Sequence, residues 1–113
     1  MIIVTYLMIV HLLGNPCNMK AIVKIAKKHK LWLIEDACEA HGAKFSGKHV
    51  GTFGDLATFS FFASHHITTM EGGMITTNNK MLNEIGKSMR TFGWSRDLSS
   101  KKQLEHKSLF QKT

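Results

Sequence analysis

The 113-residue chain has one proline, two cysteines, one tyrosine and few acidic residues, and each scarcity removes a class of protein. One proline and nine glycines leave no linker and no low-complexity tract, and no internal repeat is present. The two cysteines, Cys17 and Cys38, make no disulfide framework and demand no oxidising compartment. No apolar run is long enough to cross a bilayer. The longest, residues 2–13, is interrupted by Thr5, Tyr6 and His11, and lacks both a basic leader and a small-residue cleavage site. A buried strand is the simpler reading, no membrane partner is expected, and a cytoplasmic location follows by default.

What is present belongs to a folded domain: 43% hydrophobic residues and a mean hydropathy near zero. The net charge of +7 raises the question of a nucleic-acid partner. Much of it comes from Lys20, Lys24, Lys27, Lys28 and Lys30, which recur at helical spacing with no aromatic residues between them. A solvated helix face explains them better than a nucleic-acid patch, so no nucleic acid is expected. Residues 100–113 are polar and basic with weak periodicity, and read as a tail or a truncated element.

The β-branched run at residues 2–10 predicts a strand buried on both faces. Gly14, Asn15 and Pro16 end it, and Asn18 is placed to cap a helix over residues 19–29, with Ala21, Ile22, Ile25 and Ala26 on one side. Residues 31–34 form a short apolar strand. Strand, helix and strand at crossover length imply a parallel sheet, hence an α/β fold. Further strands are predicted at residues 57–62 and 73–77, and a helix over residues 80–91 with Met81, Leu82, Ile85 and Met89 on its apolar side.

Three clusters carry chemistry: Glu35-Asp36-Ala37-Cys38-Glu39 at a strand's carboxyl end, Ser60 to Gly73, and Phe92 to Asp97. Glu-Asp-Ala, then Phe-Ser-Phe about two dozen residues on, then Glu71-Gly72-Gly73, resembles the sugar aminotransferases of the DegT–DnrJ–StrS group. The resemblance runs over residues 12–98 and implies part of a fold-type-I PLP-dependent large domain, a mostly parallel sheet with flanking helices. Residues 1–99 would be a partial cofactor-binding domain. Most of the group carries Ser-Phe-x-x-x-Lys-Asn, the lysine holding the cofactor as a Schiff base. Here His65 stands five residues after Ser60, at the lysine position. That departure is similar to a smaller subgroup, the GDP-4-keto-6-deoxy-mannose 3-dehydratases, which work with pyridoxamine 5'-phosphate.

An imidazole has no primary amine, so His65 excludes covalent attachment and points to pyridoxamine 5'-phosphate, with pyridoxal 5'-phosphate as its aldehyde counterpart. Histidine ordinarily titrates near neutral pH, which suits it to proton transfer. The resemblance makes His65 the catalytic base, Asp36 the partner of the pyridine nitrogen, Glu39 a neighbour of the ring and Ser60 a phosphate contact. Trp94 and Arg96 would meet the nucleotide-sugar substrate. Blander roles compete with these: a cap or turn for Asp36, a surface charge for Glu39, an ordinary strand hydroxyl for Ser60, and helix-end packing for Trp94 and Arg96. Glu71-Gly72-Gly73 is expected to shape a tight turn.

A zinc reading, with Cys38, His41, His65 and His66 as ligands, fails on the adjacent second pair and leaves Asp36 and Glu71 unexplained. No metal is therefore expected. Residues 95–113 hold no cysteine, which disfavours the iron–sulfur subgroup of these dehydratases. The resemblance implies glutamate as amino donor and a homodimer for the full-length enzyme. It also implies that this chain is a piece of a longer protein, with little or no activity by itself. Two other outcomes stay open: a sugar aminotransferase relative that has lost its lysine, and a non-catalytic remnant.

Overall fold

Strand β1 (Tyr6–Val10) opens the part of the chain that the computed structural model describes, residues 5–93. A short turn at Leu12–Gly14 leads into helix α1 (Met19–Lys28). Asn18 caps that helix, its Oδ1 accepting the Ala21 N–H at 3.2 Å, and Lys27 and Lys28 sit in the last turn, where the helix dipole favours positive charge. Strand β2 (Trp32–Asp36) follows, then a small hairpin of β3 (Lys44–Phe45) and β4 (Lys48–His49). Strands β5 (Leu56–Ser60) and β6 (Gly73–Thr76) complete the sheet, and helix α2 (Lys80–Arg90) comes last. The residues fall into two compact units, one ending at Asn79 and the other beginning at Lys80.

The sheet order is β1-β2-β5-β6. β1, β2 and β5 are parallel, and β6 returns antiparallel to β5. Val10, Asp36 and Thr58 stand in register across the three parallel strands, so their carboxyl ends meet at one edge. The α/β fold expected from the sequence is present, and among the described residues each predicted strand and helix falls within a few residues of its expected bounds; the expected start of the first strand at residue 2 lies outside them.

Alternation along β2 organises the unit. Leu33 and Glu35 are buried, while Ile34 and Asp36, pointing to the other face, are only half-buried. On the Leu33 face, α1 buries Met19 and Ala26 against Leu33, with Leu7, Ile9, Ile22 and Val23 packed around them. A second cluster of Ala37, Ala40 and Val50, with Phe59 against it, lies under the loop after β2.

One expectation needs correction. β1 is not buried on both faces: Tyr6, Met8 and Val10 are 58%, 50% and 49% exposed. It is a sheet-edge strand among the described residues, and α1 covers only the side bearing Leu7 and Ile9. The lysines of α1 are exposed, as a solvated face requires. In the second unit, α2 ends with Gly93 at φ +84, whose N–H donates to the Ser88 carbonyl at 2.8 Å. The tail expected at residues 100–113 lies outside the described residues.

Candidate active site

The site is built from loops at the carboxyl ends of the parallel strands, where ligands of open α/β sheets collect. Asp36 ends β2, and its main chain is strapped on both sides. Its carbonyl accepts the His11 N–H at 2.9 Å, and the next amide, Ala37 N–H, donates to the Thr58 carbonyl at 2.9 Å. Asp36 Oδ1 accepts the Cys38 N–H at 3.0 Å, a local turn that fixes the carboxylate's direction. The Cys38 thiol also hydrogen-bonds to the Asp36 carboxylate.

Glu39 turns back toward the loop after β1, where Oε2 accepts the Leu13 N–H at 3.0 Å. Cys38 lies between these two acids, with Sγ 3.9 Å from Thr58 Oγ1. Burial pushes its thiol above the ordinary range, and the Asp36 contact and the charges of Asp36 and Glu39 push it the same way, against the Thr58 hydrogen bond. The neutral thiol therefore persists at neutral pH, which makes Cys38 a poor nucleophile.

Ser60 ends β5. Its Oγ accepts the Phe62 N–H at 3.1 Å, so its own O–H remains available to donate to an anion. A tight turn then carries the chain to His65, whose N–H donates to the Phe62 carbonyl at 2.9 Å. The His65 and Phe62 rings meet edge to face, with centroids 6.0 Å apart at 72°. His65 Nδ1 is buried with no hydrogen-bond partner among the described residues. An unsatisfied buried nitrogen costs roughly 1–3 kcal/mol, which a hydrogen-bonding partner would recover.

Asp36, Glu39, Ser60 and His65 thus share one end of the sheet, although no hydrogen bond joins their side chains among the described residues. Trp94 and Arg96 lie outside the described residues. Glu71 is exposed, its carbonyl accepting from Thr69 Oγ1 at 2.8 Å. No three His, Cys, Asp or Glu side chains gather as a metal would need among the described residues. His41 Nε2 is already committed to the Ser60 carbonyl at 3.0 Å.

The sequence reading passed over Glu35. Its carboxylate is fully buried and takes four donors. Oε2 accepts from His11 Nε2 at 3.1 Å and Gly51 N–H at 2.8 Å, and Oε1 accepts from Phe53 N–H at 2.7 Å and Gly54 N–H at 2.6 Å. His11 Nδ1 accepts the Cys17 N–H at 3.1 Å, so the ring proton sits on Nε2 and faces the carboxylate. Strand parity was the available signal. Of two consecutive acids only one can face the site, and Glu35 shares its face with buried Leu33.

The profile of the DegT/DnrJ/EryC1/StrS aminotransferase family matches residues 5–111. The chain belongs to this family. Among its relatives, GDP-perosamine synthase of Escherichia coli O157:H7 is 58% identical over 76 residues, 67% of this chain and 21% of that protein. GDP-4-keto-6-deoxy-D-mannose 3-dehydratase of Yersinia pseudotuberculosis is 47% identical over 89 residues, 79% of this chain and 23% of that protein. A solved structure of the E. coli 3-dehydratase with bound hydrated PLP superposes with a TM-score of 0.78 at 41% identity, covering 90% of this chain and 28% of that one. This member of the family therefore has the fold of PLP-dependent aminotransferases, and spans about a fifth to a quarter of those curated relatives.

Proposed function

We propose that this chain forms the cofactor-holding part of a nucleotide-sugar 3-dehydratase, an enzyme that removes the C3 oxygen of a 4-keto-6-deoxy sugar using pyridoxamine 5'-phosphate. The observation that carries the proposal is His65, a residue without a primary amine whose Nδ1 is buried and, among the described residues, unpartnered at the end of the sheet. That donor set suits a cofactor held without a covalent link. When bound, pyridoxamine phosphate supplies an amine that condenses with a keto sugar and a ring that accepts electrons.

The chain's own residues supply the rest. The Asp36 carboxylate, its direction fixed by the Cys38 amide, favours a protonated ring nitrogen by placing a negative charge beside it. The Ser60 hydroxyl, with its hydrogen free, donates to the phosphate. Glu39 braces the loop after β1 beside the ring by holding the Leu13 amide. His65 takes a proton through Nδ1 at the carbon bearing the amine, while the sugar's C3 hydroxyl departs. Trp94 and Arg96 are assigned to the nucleotide-sugar, glutamate to renewal of the amine, and the whole enzyme to a homodimer.

Placing a lysine at the site tests the reading. In His65→Lys, pyridoxal phosphate followed by borohydride should label position 65 ahead of every other lysine, as peptide mapping would show. Labelling spread evenly over the surface lysines would sink the proposal. A second reading, a sugar aminotransferase, is favoured by the 58% identity to GDP-perosamine synthase. Products formed from pyridoxamine phosphate, glutamate and GDP-4-keto-6-deoxy-mannose separate the two: loss of the C3 oxygen supports dehydration, and an aminated sugar supports transfer.

A further inference from the structure

We infer that His41 is a positioning residue that holds the turn carrying His65; the inference rests on the reading of His65 given above. His41 follows the Asp36 loop, which is itself tied to β5 through Ala37 and Thr58. Its Nε2 lies 3.0 Å from the Ser60 carbonyl oxygen, which can only accept, so the proton is on Nε2 and the ring donates. The imidazole rests against two rings of the same strand edge, Phe59 at 5.3 Å and Phe61 at 5.8 Å between centroids.

From Ser60 a short series of links reaches the candidate base. Ser60 Oγ holds the Phe62 amide, the Phe62 carbonyl holds the His65 amide, and the Phe62 ring meets the His65 ring edge to face. The residues around that series are exposed: Ala63, Ser64, His66 and Ile67. His41 is the one side chain of residues 37–43 that hydrogen-bonds to residues 60–65 among the described residues. It therefore couples the half of the site that holds Asp36 to the half that holds His65.

Two variants separate the donor from the ring. His41→Phe keeps the aromatic packing and removes the N–H; His41→Gln keeps an N–H donor of similar reach and removes the ring. In His41→Phe of the full-length enzyme, kcat for dehydration should fall about 10-fold, since misplacement of a catalytic group lowers the rate of the chemical step. KM for the nucleotide-sugar should stay within about twofold, and the His65 amide should exchange about 10-fold faster, as loss of one hydrogen bond permits. His41→Gln should recover most of both losses, and the pH profile should keep its shape in each variant. Thermal melts run alongside; if His41→Phe does not fold, His41→Asn, whose shorter amide falls short of Ser60, replaces it. Unchanged exchange at His65, or equal losses in the Gln variant and the donor-free variant, would overturn the inference. A full-length parent enzyme that forms no deoxygenated product would refute the proposed function alone, since the exchange measurement still decides what His41 does.

Discussion

Residues 35–55 and residues 61–72 reach the same end of the sheet, but they are held in different ways. In the first segment a buried carboxylate, Glu35, collects donors from His11, Gly51, Phe53 and Gly54, across 16 to 24 positions of sequence. Leu33 and Asp55 add a reciprocal pair of bonds, at 2.9 and 2.8 Å. The second segment closes on itself through Phe61 and Gly72, Thr69 and Phe61, and His65 and Phe62. Its Phe62, Ile67 and Met70 are exposed, and its central imidazole has a nitrogen with no partner among the described residues. The segment around Asp36 is thus cross-linked to distant parts of the chain, whereas the segment around His65 is held mainly by bonds within itself. Regions with few buried contacts are the ones that open and close most readily.

The sharpest way to break this contrast is to remove Glu35. Glu35→Ala should destabilise the protein by about 3–5 kcal/mol, because several buried N–H donors lose their acceptor at once; urea unfolding measures it. A smaller loss is expected at Gly54, where an added Cβ would sit 2.6 Å from the backbone oxygen of Leu33. Gly54→Ala should cost about 1–3 kcal/mol, since a strand carbonyl cannot step aside as a side chain can. The smallest loss belongs to the other segment: His65→Ala should cost no more than about 0.5 kcal/mol, since the lost ring contact with Phe62 is offset by removal of a buried nitrogen that has no partner among the described residues. A loss there as large as that of Gly54→Ala would erase the distinction between the two halves.

The architecture was legible because its signals are local. Asn18 before an amphipathic run, the apolar stretch ahead of Glu35, and the glycines that open β6 each mark an element without reference to distant residues. The family motif likewise directed attention to Asp36, Ser60 and His65. Glu35 escaped notice because its partners are mostly backbone amides, which look alike in every sequence. The one partner with a distinctive side chain, His11, lies 24 residues away in a run that reads as plain strand. The exposure of Tyr6, Met8 and Val10 was illegible for a related reason. Apolar character shows that a face can be covered, not whether a neighbour covers it.

The opposed orientation of Glu35 and Asp36 also sets the kinds of genetic change this region can absorb. Deleting or inserting a single codon within β2 would exchange which acid looks inward, leaving the buried amides facing a side chain of the wrong length and the ligand facing the core's former anchor. A change of two codons preserves the inside–outside order and asks only for a slide along the neighbouring strands. Length variation in this strand is therefore tolerable in steps of two, while the hairpin of β3 and β4, which carries neither acid, is free of that arithmetic.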